Sequence, residues 1–391
     1  MHNKNRFQFL TNLNFLFWMY LVVAIVVSVH RYILGPDDYG NYLIFKNSFN
    51  HLLQGKNMYA LYPKLHIDLF KYSPTFAVLF SPFALLPDFI GLILWNLLNA
   101  MALFFAVKMI GIEEKKKVFI LWFILIELIT SMQNYQSNAL IASLIIFVFV
   151  LLERKNYLVA GICVAVGFYI KLFGVFGALL WFIYSGKTKF LLSTCVSMIL
   201  LFVIPLLFVS LNELIGIYRS WFNMLASDPP NELNHSVMSV MKNWFGLNLD
   251  KKYVQLAGIV LLIIPLLRWN LFQEKVFRLL FLCSILIWVV IFNHKAESAT
   301  YIIAVAGCAL WFFNSEQKPF DVFLIVLLIL FTCLSPTDLF PKFLRQDYIV
   351  PYSLKGLPCI LIWIKIQYEL LSLSWGKQHL YKVMPLKNIQ H

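Results

Sequence analysis

Residues 14–34 read NFLFWMYLVVAIVVSVHRYIL, and Gly35-Pro36-Asp37-Asp38 follow directly. An apolar run of this length meets the requirement of about 20 helical residues per bilayer crossing. It is longer than a signal-peptide core, and no small-x-small cleavage site precedes Asp37, so it predicts a retained first transmembrane helix. Lys4 and Arg6 stand before it, and the Gly-Pro turn after it releases the chain from lipid at an acidic pair. An acidic pair at such a turn is common as solvated turn chemistry. It is also a natural place for a carboxylate that works at the membrane interface.

The rest of the chain repeats the apolar character of that run. Of its 391 residues, 61% are hydrophobic and 13% charged, and the mean hydropathy is +0.76. A soluble domain is about half apolar and a quarter charged, so this composition requires lipid as solvent. The net charge of +13 does not indicate nucleic acid, because the basic residues sit at the ends of apolar segments and form no single polar face. All six cysteines lie in or beside apolar stretches without ligand spacing, which fits core filling and neither disulfides nor a metal site.

Further apolar segments fall near 76–110, 118–132, 138–152, 157–170, 172–185, 190–211, 255–267, 277–293, 298–313, 319–334 and 352–371. The expected fold is therefore an all-α polytopic membrane protein, one integral membrane domain over 1–391 with about 12 transmembrane helices. Lys115-Lys116-Lys117, Arg154-Lys155, Lys187, Lys189, Arg268, Lys275, Arg278, Lys318 and the basic tail 372–391 fall on alternate loops. By the positive-inside rule that side, with both termini, is cytoplasmic. The other side then carries the long connections: 35–75, 212–253 and 335–351. Long loops in a compact domain are commonly functional.

The segments from 118 to 185 look too short to cross fully, so two hairpins are expected to stop below the outer surface and leave a cavity. Their tips carry Gln133, Asn134, Gln136 and Asn138 in the first and Lys171 in the second. Glu127, inside an apolar segment, needs a cation or the cavity, with Lys171 a possible partner. His294 and Lys295 stand at the outer end of a helix, where a lipid phosphate would sit. His294 and Glu297, three apart, would share a helix face as a hydrogen-bonded pair, a reading preferred to metal ligation. Arg219, His235 and Lys242 of the second long loop are as readily a solvated face as acceptor contacts.

Several motifs follow one another in order: Asp38-x-x-x-Tyr42, Leu53-x-Gly55-x-x-x-Tyr59, Phe70-Lys71-Tyr72-Ser73-Pro74, Leu94-Trp95-Asn96, Gln136-x-Asn138, Gly161, Lys171, Asn234-x-Ser236 and His294. This set resembles glycosyltransferase family 87, polyprenol-phosphate-sugar-dependent and mannosyltransferase-like, of the GT-C superfamily. The likeness covers most of the chain. It departs at Tyr135, where the family often has Gly, at Lys171-Leu172-Phe173-Gly174 in place of Lys-x-x-Pro, and in the charged run His294–Ser298.

The resemblance implies a GT-C-like bundle with long non-cytoplasmic loops and an active site on the outer face of the cell membrane. There an aspartate of the first outer loop, matched here by Asp38, would deprotonate an acceptor hydroxyl. That hydroxyl attacks a hexose, mannose in the family pattern, on a polyprenyl-phosphate donor. Asp37 would orient a glycolipid or glycan acceptor. Tyr42, Gln136, Asn138, Lys171, Asn234, Ser236, His294, Lys295 and Glu297 would bind substrate, with no cofactor. One base acting in line would invert the anomeric centre. A transporter or flippase for lipid-linked saccharides is the competing reading. Such proteins commonly show related halves; no internal repeat is visible here, and the polar residues gather at one surface.

Overall fold

The computed structural model describes residues 8–66, 68–227 and 235–373. Among these the regular structure is helical, with no strand. Helix α1 spans Leu13–Leu34 and α2 Gly40–Leu53, separated by a tight turn at Pro36–Tyr39. Two short helical turns, Pro74–Leu79 and Ser81–Ala84, lead into α3, Asp88–Met109. The hairpins are α4 Glu114–Gln133 with α5 Asn138–Glu153, then α6 Tyr157–Ile170 with a 3-10-type segment Leu172–Ile183. Helix α7 is Lys187–Val203, α8 Leu211–Ser227, α9 Val237–Phe245 and α10 Lys251–Ile263. The bundle closes with α11 Lys275–Ile291, α12 Tyr301–Asn314, α13 Pro319–Leu327 and α14 Leu357–Ser372.

The chain is a membrane protein. Helices Leu13–Leu34, Asp88–Met109 and Lys187–Leu207 are long and apolar enough to cross a bilayer, and several shorter apolar helices accompany them. Large apolar side chains such as Val26, Ile33, Leu192, Ile199 and Leu207 are exposed along these helices, as lipid-facing side chains are. At the centre, every residue of α11 from Leu279 to Ile291 is buried. Its partner α12 comes so close that a Cβ on Gly307 would lie 2.9 Å from the Cys283 carbonyl oxygen, the small-residue contact by which helices pack in lipid.

Polar anchors gather at the two ends of the bundle. At one, Lys117, Arg154 and Lys275 donate to the carbonyls of Lys108, Met109 and Gly111, and Arg278 pairs with Glu153 at 2.6 Å. At the other, Trp95 Nε1 donates to Tyr135 O and Asn138 Nδ2 to Ala299 O.

The hairpins differ from expectation in one respect. Helix α4 is 20 residues long, about 30 Å at 1.5 Å per residue, because the charged turn Glu114–Lys117 adds to its start. The second hairpin is short: α6 has 14 residues, about 21 Å.

Candidate active site

Gly35 ends α1 with φ +111° and ψ 176°, a backbone conformation open essentially to glycine alone. The chain turns there, and Asp38 N donates to Gly35 O at 3.0 Å. The turn brings Asp38 back against α1, where its carboxylate pairs with the Arg31 guanidinium. Arg31, a residue the motif reading passed over, stands in the last turn of α1. A cation seven residues before the aspartate was the signal for it.

The two hairpin tips meet at Lys171. Its ammonium donates to Asn138 Oδ1 at 2.7 Å and Gln136 Oε1 at 3.1 Å, and it stands 5.5 Å from the centre of the Tyr72 ring. Tyr72 in turn donates its hydroxyl to Gln136 Oε1 at 3.1 Å. The adjacent Ser73 donates to Tyr169 O at 2.5 Å and caps the following helical turn by accepting from Phe76 N, with Pro74 at its first position. The run Tyr72-Ser73-Pro74 thus joins the connection after α2 to both tips.

Tyr135 explains one departure from the family pattern. Its φ is +49°, the left-handed region that glycine occupies without penalty. The tyrosine holds it through packing: its ring meets Tyr39 and Tyr42 edge-on, and its hydroxyl donates to Ser28 O at 3.3 Å.

The second tip depends on a close approach of two glycines. A Cβ on Gly174 would lie 2.3 Å from the Gly167 carbonyl carbon and oxygen, whereas one on Gly167 would stay 3.4 Å from Gly174. Gly174→Ala is therefore expected to destabilise the protein by about 1–3 kcal/mol, the usual range for overpacking, with Gly167→Ala much milder. Thermal unfolding in detergent measures this; equal midpoints for both variants would refute the close packing.

These elements surround one cavity of about 1230 Å³. Asp37, Asp38 and Arg31 line it at the end of α1, and Gln136 and Lys171 at the hairpin tips. His294, Lys295 and Glu297 line it from the turn between α11 and α12, and Lys251 and Gln255 from α10. An aromatic part of its wall is formed by Phe173, Phe176, Trp221, Trp288 and Phe292. An acidic pair and several cations thus share one aqueous space bordered by an aromatic surface.

Other expectations resolve differently. Tyr42, Asn138 and Ser236 are buried behind the cavity wall. Tyr42 donates to Phe83 O, Asn138 joins Lys171 to Ala299 O, and Ser236 stands before α9. Arg219 and Lys242 are exposed and His235 buried, none of them on the lining. Asn234 lies outside the described residues. His294 and Glu297 do not share a helix face, because residues 293–297 form a turn. Gln255 Nε2 lies 3.5 Å from His294 Nδ1 and donates to Phe292 O. Glu127 pairs with Lys355 at 2.7 Å and not with Lys171, whose ammonium Gln136 and Asn138 hold at the tip.

Burial, reinforced by the Lys251 charge, lowers the pKa of His294 from 6.5. Burial and the Lys71 charge lower that of Lys295, with Asp68 and Glu297 opposing. Both groups therefore sit where added negative charge is welcome.

The model of glycosyltransferase family 87 matches residues 70–336, about two thirds of the chain. The matched region holds the hairpin tips, Lys171 and the 293–297 turn, and begins after Asp37 and Asp38. No curated protein matches the chain.

Proposed function

The chain belongs to glycosyltransferase family 87 and is a membrane glycosyltransferase; on that premise we propose that it moves a hexose, mannose in our reading, from a polyprenyl-phosphate donor to an acceptor hydroxyl of a glycolipid or glycan. In this reading the bundle is of GT-C type with about twelve crossings, both termini are cytoplasmic and the cavity opens on the outer face. The basic anchors at one end of the bundle, in Lys117, Arg154 and Lys275, support that orientation through the positive-inside rule.

One observation carries the reading: the carboxylates of Asp37 and Asp38 line the same cavity as Lys171, His294 and Lys295. Asp38 takes the proton of the acceptor hydroxyl as that oxygen forms its bond to the anomeric carbon. The bond from that carbon to the phosphate oxygen breaks, and the lysines and His294 neutralise the departing phosphate. Attack from the face opposite the leaving group inverts the centre. Asp37 orients the acceptor, and the aromatic wall receives the first isoprene units.

The test is transfer from radiolabelled polyprenyl-phosphate mannose by purified protein to a cell lipid and glycan extract. The expected product has the anomeric configuration opposite to that of the donor. Retention would overturn the single-base mechanism, and transfer from a nucleotide sugar in the same system would overturn the donor class.

Donor binding should also depend on pH. The donor is a phosphodiester whose charge does not change in the neutral range, so the titration belongs to the protein. Because the pKa of His294 is lowered in the free protein, the imidazole is neutral at pH 7, and a bound phosphate raises that pKa again. Affinity should therefore rise as the pH falls from about 7.5 to about 5.5, the range in which histidine changes charge. In His294→Gln the binding curve should be flat, as measured by filter binding of the labelled donor.

A further inference from the structure

Behind the cavity, inside the bundle, lies a second polar cluster that the proposed chemistry does not use. Glu127 of α4 is fully buried and Lys355 is 2% exposed; Lys355 Nζ donates to Glu127 Oε1 at 2.7 Å and to Thr332 O at 2.8 Å. Thr332 Oγ1 donates back to Lys355 O at 2.7 Å. The desolvation of such a pair commonly offsets the attraction between its members, so stability alone is a weak reason for it.

The pair sits at one end of a chain of contacts that leads to the cavity. The Tyr301 ring lies 5.2 Å from Lys355 Nζ, and the Tyr301 hydroxyl donates to His235 O at 2.7 Å. A Cβ on Gly356 would lie 1.9 Å from that same oxygen, so the backbones at 356 and 235 touch. His235 N donates to Ala296 O at 3.3 Å, and Ala296 is the residue between Lys295 and Glu297 of the cavity turn. Helix α9 fastens the same segment from outside, Trp244 Nε1 donating to Tyr352 O at 2.7 Å and Asn243 Nδ2 to Ser353 Oγ at 3.0 Å. In the other direction α4 continues from Glu127 to Gln133, which lines the cavity beside Gln136.

We propose that Glu127 and Lys355 are positioning residues: their ion pair sets the 293–297 turn against the Gln133–Gln136 tip and so holds His294 and Lys295 in register for the donor phosphate. Neither is on the cavity lining, so each acts through the turn. The inference rests on the reading of that turn as the phosphate site.

The experiment is equilibrium binding of radiolabelled polyprenyl-phosphate mannose to full-length protein in nanodiscs, giving both the Kd and the number of sites per chain. A merely structural role lowers the number of sites and leaves the Kd of the remaining folded protein unchanged. Positioning raises the Kd, by about tenfold in Lys355→Met, with the number of sites retained. Should that variant not yield monodisperse protein, Glu127→Gln/Lys355→Met, which removes both charges together, decides on the same criterion. An unchanged Kd in the folded variant overturns the proposal. His294→Ala separates the two readings: if it leaves the Kd unchanged, the phosphate site itself is misplaced. If it weakens binding while Lys355→Met does not, only the positioning role falls.

Discussion

Asp38→Asn is expected to lower the turnover of sugar transfer by about 10²–10⁴-fold, the range that general-base catalysis contributes, while binding of the polyprenyl-phosphate donor stays as in the wild type. The substitution keeps the size of the side chain and its place in the turn held by Asp38 N and Gly35 O. It removes the proton acceptor and the charge that Arg31 engages. The two readouts separate the base from a donor ligand, because a residue that binds the phosphate would weaken binding and a base would not. Asp38→Glu should recover part of the rate, since it restores the carboxylate but moves it by one methylene from its register. Full transfer by Asp38→Asn would move the base to Asp37, which lines the same cavity and whose substitution would then be the one to stop the reaction.

How far this site could be read in advance depended on whether its determinants were local. The first helix, the Gly35 turn and the acidic pair form one continuous stretch, and hydropathy with turn chemistry accounts for all three. The order of Gln136, Asn138 and Lys171 indicated two tips, and the bonds from Lys171 to both side chains are the three-dimensional form of that order. The partner of Glu127 was not legible. Lys355 lies 228 residues away, inside what reads as one more apolar run, and a buried ion pair between distant segments leaves no periodic trace. A cation at the start of such a run is the available sign. The turn at 293–297 reads as helix in the sequence because its residues tolerate helix well; the structure makes it a turn, with the Ala296 carbonyl accepting from His235 N.

Lys171→Met should lower turnover by about 10²–10³-fold, the loss typical when one donor to developing negative charge is removed. Methionine keeps the unbranched stem and fills irregular space readily, so the apolar part of the side chain stays between Tyr72 and Phe173, whose ring centres lie 5.5 and 5.6 Å from the ammonium. What disappears is the charge. An ammonium has three donors; two of them go to Asn138 and Gln136, and Lys171 itself lines the cavity, where its charge can meet a phosphate. The carbonyl oxygens of the two amides lose their common partner in the variant, so a small loss of stability accompanies the kinetic one. Lys171→Arg distinguishes the effects. It restores the charge but not the compact shape, because the planar guanidinium cannot occupy the point position of an ammonium, and about a tenth or less of the wild-type rate should return. Equal rates for Lys171→Met and wild type, in protein that unfolds at the same temperature, would remove Lys171 from the proposed phosphate site and leave the neutralising charge to Lys251 and Lys295, which line the same cavity.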